Sequence, residues 1–294
     1  MKTFQCNICK YSKSNLVSSR VRDSLNFKIK QCKNCSHIQI FPIPTYEENK
    51  IFYDEDMMSK NIKFHSIKNM KQKKLNDTLM NIELTKKISS KKSRILEIGS
   101  GYGLFLDIMN KEGYNITGIE VSKYRRNFAK KLTKLNVLDF DLTKEIPELK
   151  KFDVIVMFQV LEYISNPVTF LKNIRKLLKK NGKLLIKIPN AGDLSLKLNK
   201  KYNDWFWQRA HINYFTTKTV KHVLRKSNFQ IIKLEGIQRY GIENMFYWRL
   251  IGKPQFKKPS FELPREYHFL EVFYKKYLES NLLSDTMIVL AKNN

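Results

Sequence analysis

The chain reads as an α/β protein with a doubly wound, mainly parallel sheet, preceded by a small cysteine-rich module, and three observations predict it. Apolar strand-like runs alternate with helical patterns between residues 94 and 190, the order that builds βαβ units. A glycine-rich turn, Gly99-Ser-Gly101-Tyr-Gly103, stands between the first of these strands and the first of these helices. All four cysteines fall within residues 1–35, as Cys6-Asn-Ile-Cys9 and Cys32-Lys-Asn-Cys35.

The size and composition agree with this. A chain of 294 residues can bury one large core and a small second one. With 42% hydrophobic and 12% aromatic residues it lies far from disordered or collagen-like compositions. No apolar run approaches the ~18 residues that span a bilayer, and the opening MKTFQCNICK lacks the apolar stretch of a secretion signal. The expectation is a cytoplasmic protein without a membrane span. Lys+Arg number 55 against 27 Asp+Glu, a net charge of +28, which admits an anionic partner. Lysine far outnumbers arginine and is spread along the chain, so a solvated surface accounts for much of the charge, and a nucleic-acid partner is the less favoured reading.

In chain order, the cysteines come first. Each CxxC turn presents two thiolates from a tight loop, and the two turns together complete the four-sulfur tetrahedron of a closed structural zinc site. The intervening residues hold a hairpin, with Leu16-Val17 and Phe27-Lys-Ile-Lys30 alternating as short strands. Residues 1–45 are therefore a zinc ribbon with Cys6, Cys9, Cys32 and Cys35 as ligands, and His37 is a neighbour of the site. Two structural disulfides would suit a secreted chain better. Phe41-Pro42-Ile43-Pro44 is an extended connector, because each proline biases its predecessor away from helix. Residues 46–90 form a helical linker, with Leu75, Leu79, Ile82, Leu84 and Ile88 at loosely helical spacing.

Residues 91–294 make the main domain. Arg94 to Ile98 is an apolar strand, Leu104 to Asn110 a helix that ends at Gly113, and Tyr114 to Ile119 the next strand. Glycines at 99, 101 and 103 let the backbone turn sharply and approach a ligand closely. Glu120 closes the second strand, about 20 residues past the glycines, where a carboxylate accepts hydrogen bonds from both hydroxyls of an adenosine ribose. The spacing is GxGxG, with Glu97 two residues before it, and differs from the GxGxxG of dinucleotide sites. A carboxylate beside the loop opposes a pyrophosphate and suits a ligand carrying an ammonium and a sulfonium.

Glu97-Ile-Gly-Ser-Gly-Tyr-Gly103 resembles the first motif of class I S-adenosylmethionine-dependent methyltransferases. That resemblance implies a Rossmann-like sheet and assigns the cofactor to Glu97, Gly99, Ser100, Gly101, Gly103, Glu120 and Val121. Asp141-Leu142 looks like the acidic residue and apolar follower that receive the adenine, with Asp139 a competing choice. Phe158-Gln159 resembles the loop passing the methionine end. Where relatives read Leu-Glu-His, this chain has Leu161-Glu162-Tyr163. Asn166-Pro167 caps a helix whose apolar face is Phe170, Leu171, Ile174, Leu177 and Leu178; Asn181-Gly182 stops it, and Lys183 to Ile188 is a buried strand.

From about 194 to 258 an aromatic-rich insertion on the substrate side contains Trp205-Phe-Trp207 and His211-Ile-Asn-Tyr214-Phe-Thr216. This segment, together with the zinc module, resembles a branch that includes sugar C-methyltransferases and enzymes of surface-polysaccharide clusters. The resemblance implies a carbohydrate or nucleotide-sugar acceptor, with His211 as general base and Tyr53, Tyr163, Trp205 and Tyr214 on the substrate side. The branch places Glu before this His, whereas Ala210 stands here, so O- and C-methylation both stay open. The alternative role for His211 is to cap or pack beside the helix of Val220, Val223 and Leu224. Two rival readings are an RNA methyltransferase, favoured by the charge and the zinc module, and a non-catalytic protein that kept the cofactor fold. The oligomeric state is not legible.

Overall fold

A computed structural model describes residues 3–45, 47–49, 51, 67–253 and 263–294. Two sheets organise these residues. The larger has six strands: β4 (Arg94–Ile98), β5 (Asn115–Ile119), β6 (Phe152–Phe158), β7 (Leu178–Pro189), β9 (Phe229–Ile237) and β10 (Thr286–Asn293), in the order β5-β4-β6-β7-β10-β9. β5, β4, β6 and β7 run parallel, and β10 is antiparallel to both of its neighbours. This is the doubly wound, mostly parallel sheet expected from the alternating pattern. The segment after residue 134 contributes one bridge to the sheet edge, Leu138 to Ile119.

Alternation along the strands divides the core into two layers, since successive side chains leave opposite faces. Leu96, Ile98, Ile155, Met157, Leu184 and Ile186 meet Phe170 and Ile174 of α4 (Pro167–Leu177) and Val220 and Val223 of α7 (Thr217–Lys226). On the other face Ile95, Val154, Val156 and Leu185 meet Ile82 of α1 (Ile67–Lys86) and Phe105 and Met109 of α2 (Leu104–Lys111). α3 (Lys123–Thr133) lies beside α2 at this edge.

Local chemistry sets the helix starts. Asn166 Oδ1 accepts the Thr169 amide and Pro167 takes the first turn of α4, as the sequence predicts. α4 stops earlier than expected, because Leu178 is already extended, and Asn181, at φ 61°, falls where the β6–β7 register shifts between the Phe152–Leu178 and Val154–Lys183 pairs. α7 is capped by Thr216 in a reciprocal capping box with Thr219.

The smaller sheet is antiparallel, in the order β1 (Ser14–Ser18), β2 (Lys28–Cys32), β3 (Ile38–Phe41), β8 (Asn213–Tyr214). The first two strands are the expected hairpin, and β3 adds a third strand that the sequence reading did not give. The fourth comes from far along the chain: Ile38 pairs with Tyr214 and Gln39 with Asn213. Behind it, Phe27, Ile29 and Ile40 share a second core with Tyr202, Phe206 and Trp207, residues carried on or just after α6 (Lys200–Phe206), and with Trp248 of α8 (Ile242–Leu250). α5 (Ser195–Leu198) leads into this region, and α9 (His268–Ser280) precedes the closing strand. No helix of the described residues is long and apolar enough to cross a membrane.

Candidate active site

The glycine turn follows β4 at the carboxyl edge of the sheet. Gly99, Gly101 and Gly103 all have positive φ, at 72°, 55° and 82°, a conformation that side chains with a Cβ rarely adopt. A Cβ on Gly99 would lie 2.6 Å from Val160 Cγ2, and one on Gly103 would lie 2.8 Å from Ala129 Cβ. Close packing and φ together therefore fix glycine at both positions.

Beside this turn opens a crevice of about 230 Å³, lined by Gly99, Val121, Phe140, Asp141, Leu142 and Tyr163 among others. Gly99, Val121, Asp141 and Leu142, read as cofactor residues, thus share one wall system with Tyr163, read as a substrate residue. Glu120 is buried at the end of β5, where it accepts the Gly101 amide at 2.7 Å and the Ser122 amide at 2.9 Å. Its carboxylate ties the glycine turn to the start of α3. Of the two competing aspartates, Asp141 lines the crevice and holds Thr143 through its amide and hydroxyl. Asp139 is exposed and paired with Arg126 at 2.6 Å.

Glu97 is buried at the end of β4, and its Oε2 has no hydrogen-bond partner among the described residues; the same is true of Ser100 Oγ. Burial, reinforced by the nearby Glu120 carboxylate, pushes the Glu97 carboxyl well above its ordinary range. A cation placed here would reverse that cost. The cradle of left-handed glycines, the carboxylate at the end of β5 and an unpartnered carboxyl oxygen fit a ligand that carries an adenosine and an ammonium. Phe158 packs edge-on to Phe105 at 5.3 Å. Gln159 follows at φ 57°, its amide bonded to the Lys187 carbonyl. Neither is among the residues lining the crevice.

The acceptor-side residues separate. Tyr163 lines the crevice, and His211 lies behind it, the rings 5.2 Å apart and edge to face. The general-base expectation for His211 meets a physical obstacle. The imidazole is buried against Tyr163 and Tyr214, with Gln208 Nε2 3.0 Å from its Nε2. Burial and the Arg22 charge push it down to about 3, so it stays neutral and holds a proton poorly. Nor does it cap α7, a role taken by Thr216.

Trp205 and Tyr214 do not line the crevice; both belong to the second core. Trp205 stacks under the Arg22 guanidinium at 4.2 Å. Tyr214 is buried in β8, its hydroxyl donating to the Gln208 carbonyl and accepting the Gln208 amide. The small sheet needed aromatic surface to bury, and these residues supply it. Tyr53 lies outside the described residues.

Three site residues escaped the sequence reading. Glu162, buried in the turn that carries Tyr163, has neither carboxyl oxygen partnered among the described residues. Burial pushes it up to about 8, opposed first by its own backbone amide and then by the charges of Arg239 and Lys187. Lys187 is fully buried on β7 and pairs with Asp77 of α1 at 2.7 Å. A lysine inside the apolar run Leu184-Leu-Ile-Lys-Ile-Pro189 was the available signal. Asn213 donates to the Leu161 and Ile164 carbonyls and accepts from Asn7, with His37 Nε2 3.1 Å from its Oδ1. Its signal was only its place between His211 and Tyr214.

The four cysteines converge. Cys6 Sγ is 3.6 Å from Cys35 Sγ, Cys9 Sγ is 3.5 Å from Cys32 Sγ, and all four sulfurs lie within 4.8 Å of one another. That separation suits four thiolates around one tetrahedral ion and exceeds an S–S bond. His37 is fully buried beside the group and turned to Asn213.

Together the doubly wound sheet and the glycine crevice at its carboxyl edge define a class I S-adenosylmethionine-dependent methyltransferase. A family model described as a methyltransferase domain matches residues 68–234, more than half of the chain, and the protein belongs to that methyltransferase family. The ubiquinone biosynthesis O-methyltransferase of Pelagibacter ubique is 38% identical over 104 residues, 34% of this chain and 43% of that enzyme. The enzyme of the same name from Rickettsia akari is 26% identical over 156 residues, 50% of this chain and 62% of its own length. The chain thus spans less than two thirds of these curated relatives. Among solved structures, a chain of the complex between the Haloferax volcanii Trm112 methyltransferase activator and a methyltransferase aligns with TM-score 0.54 at 12% identity. That alignment covers 85% of this chain and 99% of the other, a likeness of fold.

Proposed function

We propose that the protein transfers the methyl group of S-adenosylmethionine to a hydroxyl of a small acceptor, with a nucleotide-linked sugar or glycan precursor as the acceptor class. The observation that carries this reading is the crevice that brings Gly99, Asp141 and Tyr163 together at the carboxyl edge of the sheet, where doubly wound proteins bind their ligands. The curated relatives are named O-methyltransferases, which supports oxygen as the methylated atom. The carbohydrate class is supported by the likeness of the cysteine module and of the 205–216 segment to polysaccharide-cluster enzymes.

When bound, S-adenosylmethionine supplies an already activated methyl, so the protein mainly holds donor and acceptor in line and keeps water out. Glu120, the glycine turn and Asp141 would hold the adenosine, and Glu97 would face the ammonium. Tyr163 stands on the wall toward the acceptor, with His211 behind it as a positioning residue. Glu162, in the same turn but outside the residues that line the crevice, has its carboxyl raised to about 8 by burial and is proposed here as the group that takes the hydroxyl proton. Cys6, Cys9, Cys32 and Cys35 would hold a structural zinc.

The test is methyl transfer from radiolabelled S-adenosylmethionine into a host extract, fractionated into nucleotide sugars, apolar phenols and RNA. Label in nucleotide sugars supports the reading. Label confined to phenols moves the acceptor to the class named by the curated relatives, and label in RNA overturns the small-molecule assignment.

A further inference from the structure

A second cavity, of about 360 Å³, lies at the same edge of the large sheet. Asp193 and Leu194 follow β7, Gln238 follows β9 and Asp285 precedes β10, and all four line it. The cofactor crevice therefore covers the β4, β5 and β6 ends, and this cavity covers the β7, β9 and β10 ends.

Its walls are largely aromatic and apolar: Tyr202, Met245, Trp248, Tyr274 and Leu278 surround it. Trp248 and Leu278 are buried, and Tyr202 meets Trp248 edge-on at 5.2 Å. Its buried polar groups already have partners. Asp193 accepts the Ser195 amide and the Tyr202 hydroxyl, each at 2.8 Å. Asp285 accepts the Arg239 and Tyr240 amides, Arg239 Nε and the Thr286 hydroxyl. Arg249 of α8 also lines the cavity but is exposed; at the buried end, two carboxylates, one of them already engaging the neighbouring Arg239, disfavour a buried anion such as a diphosphate. An uncharged ring or chain fits it, because burying apolar surface against these walls is favourable and leaves no polar partner broken.

The cavity is linked to the methyl-transfer side. Gln159, next to Val160 of the crevice wall, donates its amide to the Lys187 carbonyl of β7 at 2.7 Å, and Asn190, just past the end of that strand, donates its amide to the carbonyl of Asp285 at the cavity at 2.9 Å. Binding energy from a part of the acceptor remote from the reacting hydroxyl can be used to orient that hydroxyl.

We propose that this cavity seats the uncharged aromatic or apolar end of the acceptor while its hydroxyl reaches the crevice. This deepens the reading above and rests on it. A nucleobase and an apolar tail share this chemistry, and the test separates them.

The probe is N-phenylnaphthylamine, a neutral dye that brightens in apolar sites, titrated into the full zinc-loaded chain. The wild type is expected to bind it with fluorescence enhancement, undisturbed by S-adenosylhomocysteine. Met245→Trp and Asn244→Trp, which fill the cavity from two positions, should weaken it about tenfold or more while retaining S-adenosylhomocysteine affinity, which shows that each variant is folded. Displacement by uridine identifies a nucleobase end; displacement by octylphenol identifies an apolar tail. No enhancement in the wild type, equal dye binding in both variants, or displacement of the dye by S-adenosylhomocysteine would overturn the proposal. None of these outcomes depends on methyl transfer, so the failure of this site and the failure of the acceptor assignment are told apart.

Discussion

Asn213 Oδ1 lies 3.1 Å from His37 Nε2, while Asn213 Nδ2 reaches the Ile164 carbonyl at 2.7 Å. One side chain thus fastens the cysteine module to the turn that carries Glu162 and Tyr163. The pairing of β3 with β8 runs alongside and supports the same junction. The small module is in this way part of the scaffold of the acceptor side.

Asn213→Ala should separate these functions. It leaves two buried carbonyls, Asn7 and His37 without their partner, at about 1–3 kcal/mol per unsatisfied group. The expected outcome is a melting temperature lower by roughly 5 °C and methyl transfer slowed about tenfold. Zinc content and S-adenosylhomocysteine affinity should be unchanged. Intact turnover alongside the lower melting temperature would show that the junction serves stability alone.

Metal removal should act through the same junction. Metal analysis is expected to find one zinc ion per chain, and a strong chelator should abolish it. Four closely spaced thiolates repel without a cation, so β1 to β3 should lose protection from hydrogen exchange, followed by β8. Turnover should fall while S-adenosylhomocysteine still binds. Unchanged exchange in β8 after chelation would break the proposed link, and a zinc-free native protein would remove the zinc assignment.

Glu97 should report the cofactor through protons. Its carboxyl is held above the ordinary range by burial and by Glu120, so in the free protein it keeps its proton to a higher pH than an exposed glutamate. A cationic ligand favours the ionised form, so S-adenosylmethionine binding should release protons, and affinity should weaken as the pH is lowered. Calorimetry in buffers of different ionisation enthalpy measures the release. Glu97→Gln should abolish it and weaken binding about tenfold, the scale of one charge-assisted hydrogen bond. Equal proton release in that variant would assign the release to another group.

The sequence made legible whatever repeats with a period or a spacing. The parallel strands β4, β5 and β7, the glycine turn and the cysteine pairs all follow from alternation or fixed offsets between near neighbours, whereas β9 (Phe229–Ile237) was not read as a strand. The acceptor side did not follow, because there aromatic residues serve two ends that look alike in one dimension. Trp205 and Tyr214 fill the core behind the small sheet, whereas Tyr202 and Trp248 belong to that core and also wall a cavity. The β8 pairing joins residues 38–39 to 213–214, a distance along the chain that no local pattern encodes. Glu162 was read as part of a motif without a role, because its unpartnered burial appears only once β6, β7 and the 208–214 segment close around it.

Glu162 and His211 make opposite demands on pH. Glu162 rises from 4.5 to about 8 on folding. The folded state therefore holds more protons than the unfolded between those values, and stability falls as pH rises through that window. His211 drops from 6.5 to about 3. The unfolded state holds the extra proton between those values, so this contribution is present above 6.5 and lost as pH falls. From pH 6.5 to 8 the His211 contribution is constant, and Glu162 should make the melting temperature decline. Glu162→Gln should lessen that decline, the raised Glu97 carboxyl contributing with the same sign, and thermal scans across the range measure the difference. The same carboxyl should shape turnover: kcat should climb with pH to a plateau above about 8 as Glu162 ionises and becomes able to accept the hydroxyl proton. Glu162→Gln should lose the limb and most of the rate, whereas His211→Ala should slow turnover without moving the limb. A limb that survives in Glu162→Gln and shifts in His211→Ala would return the proton-accepting role to the histidine.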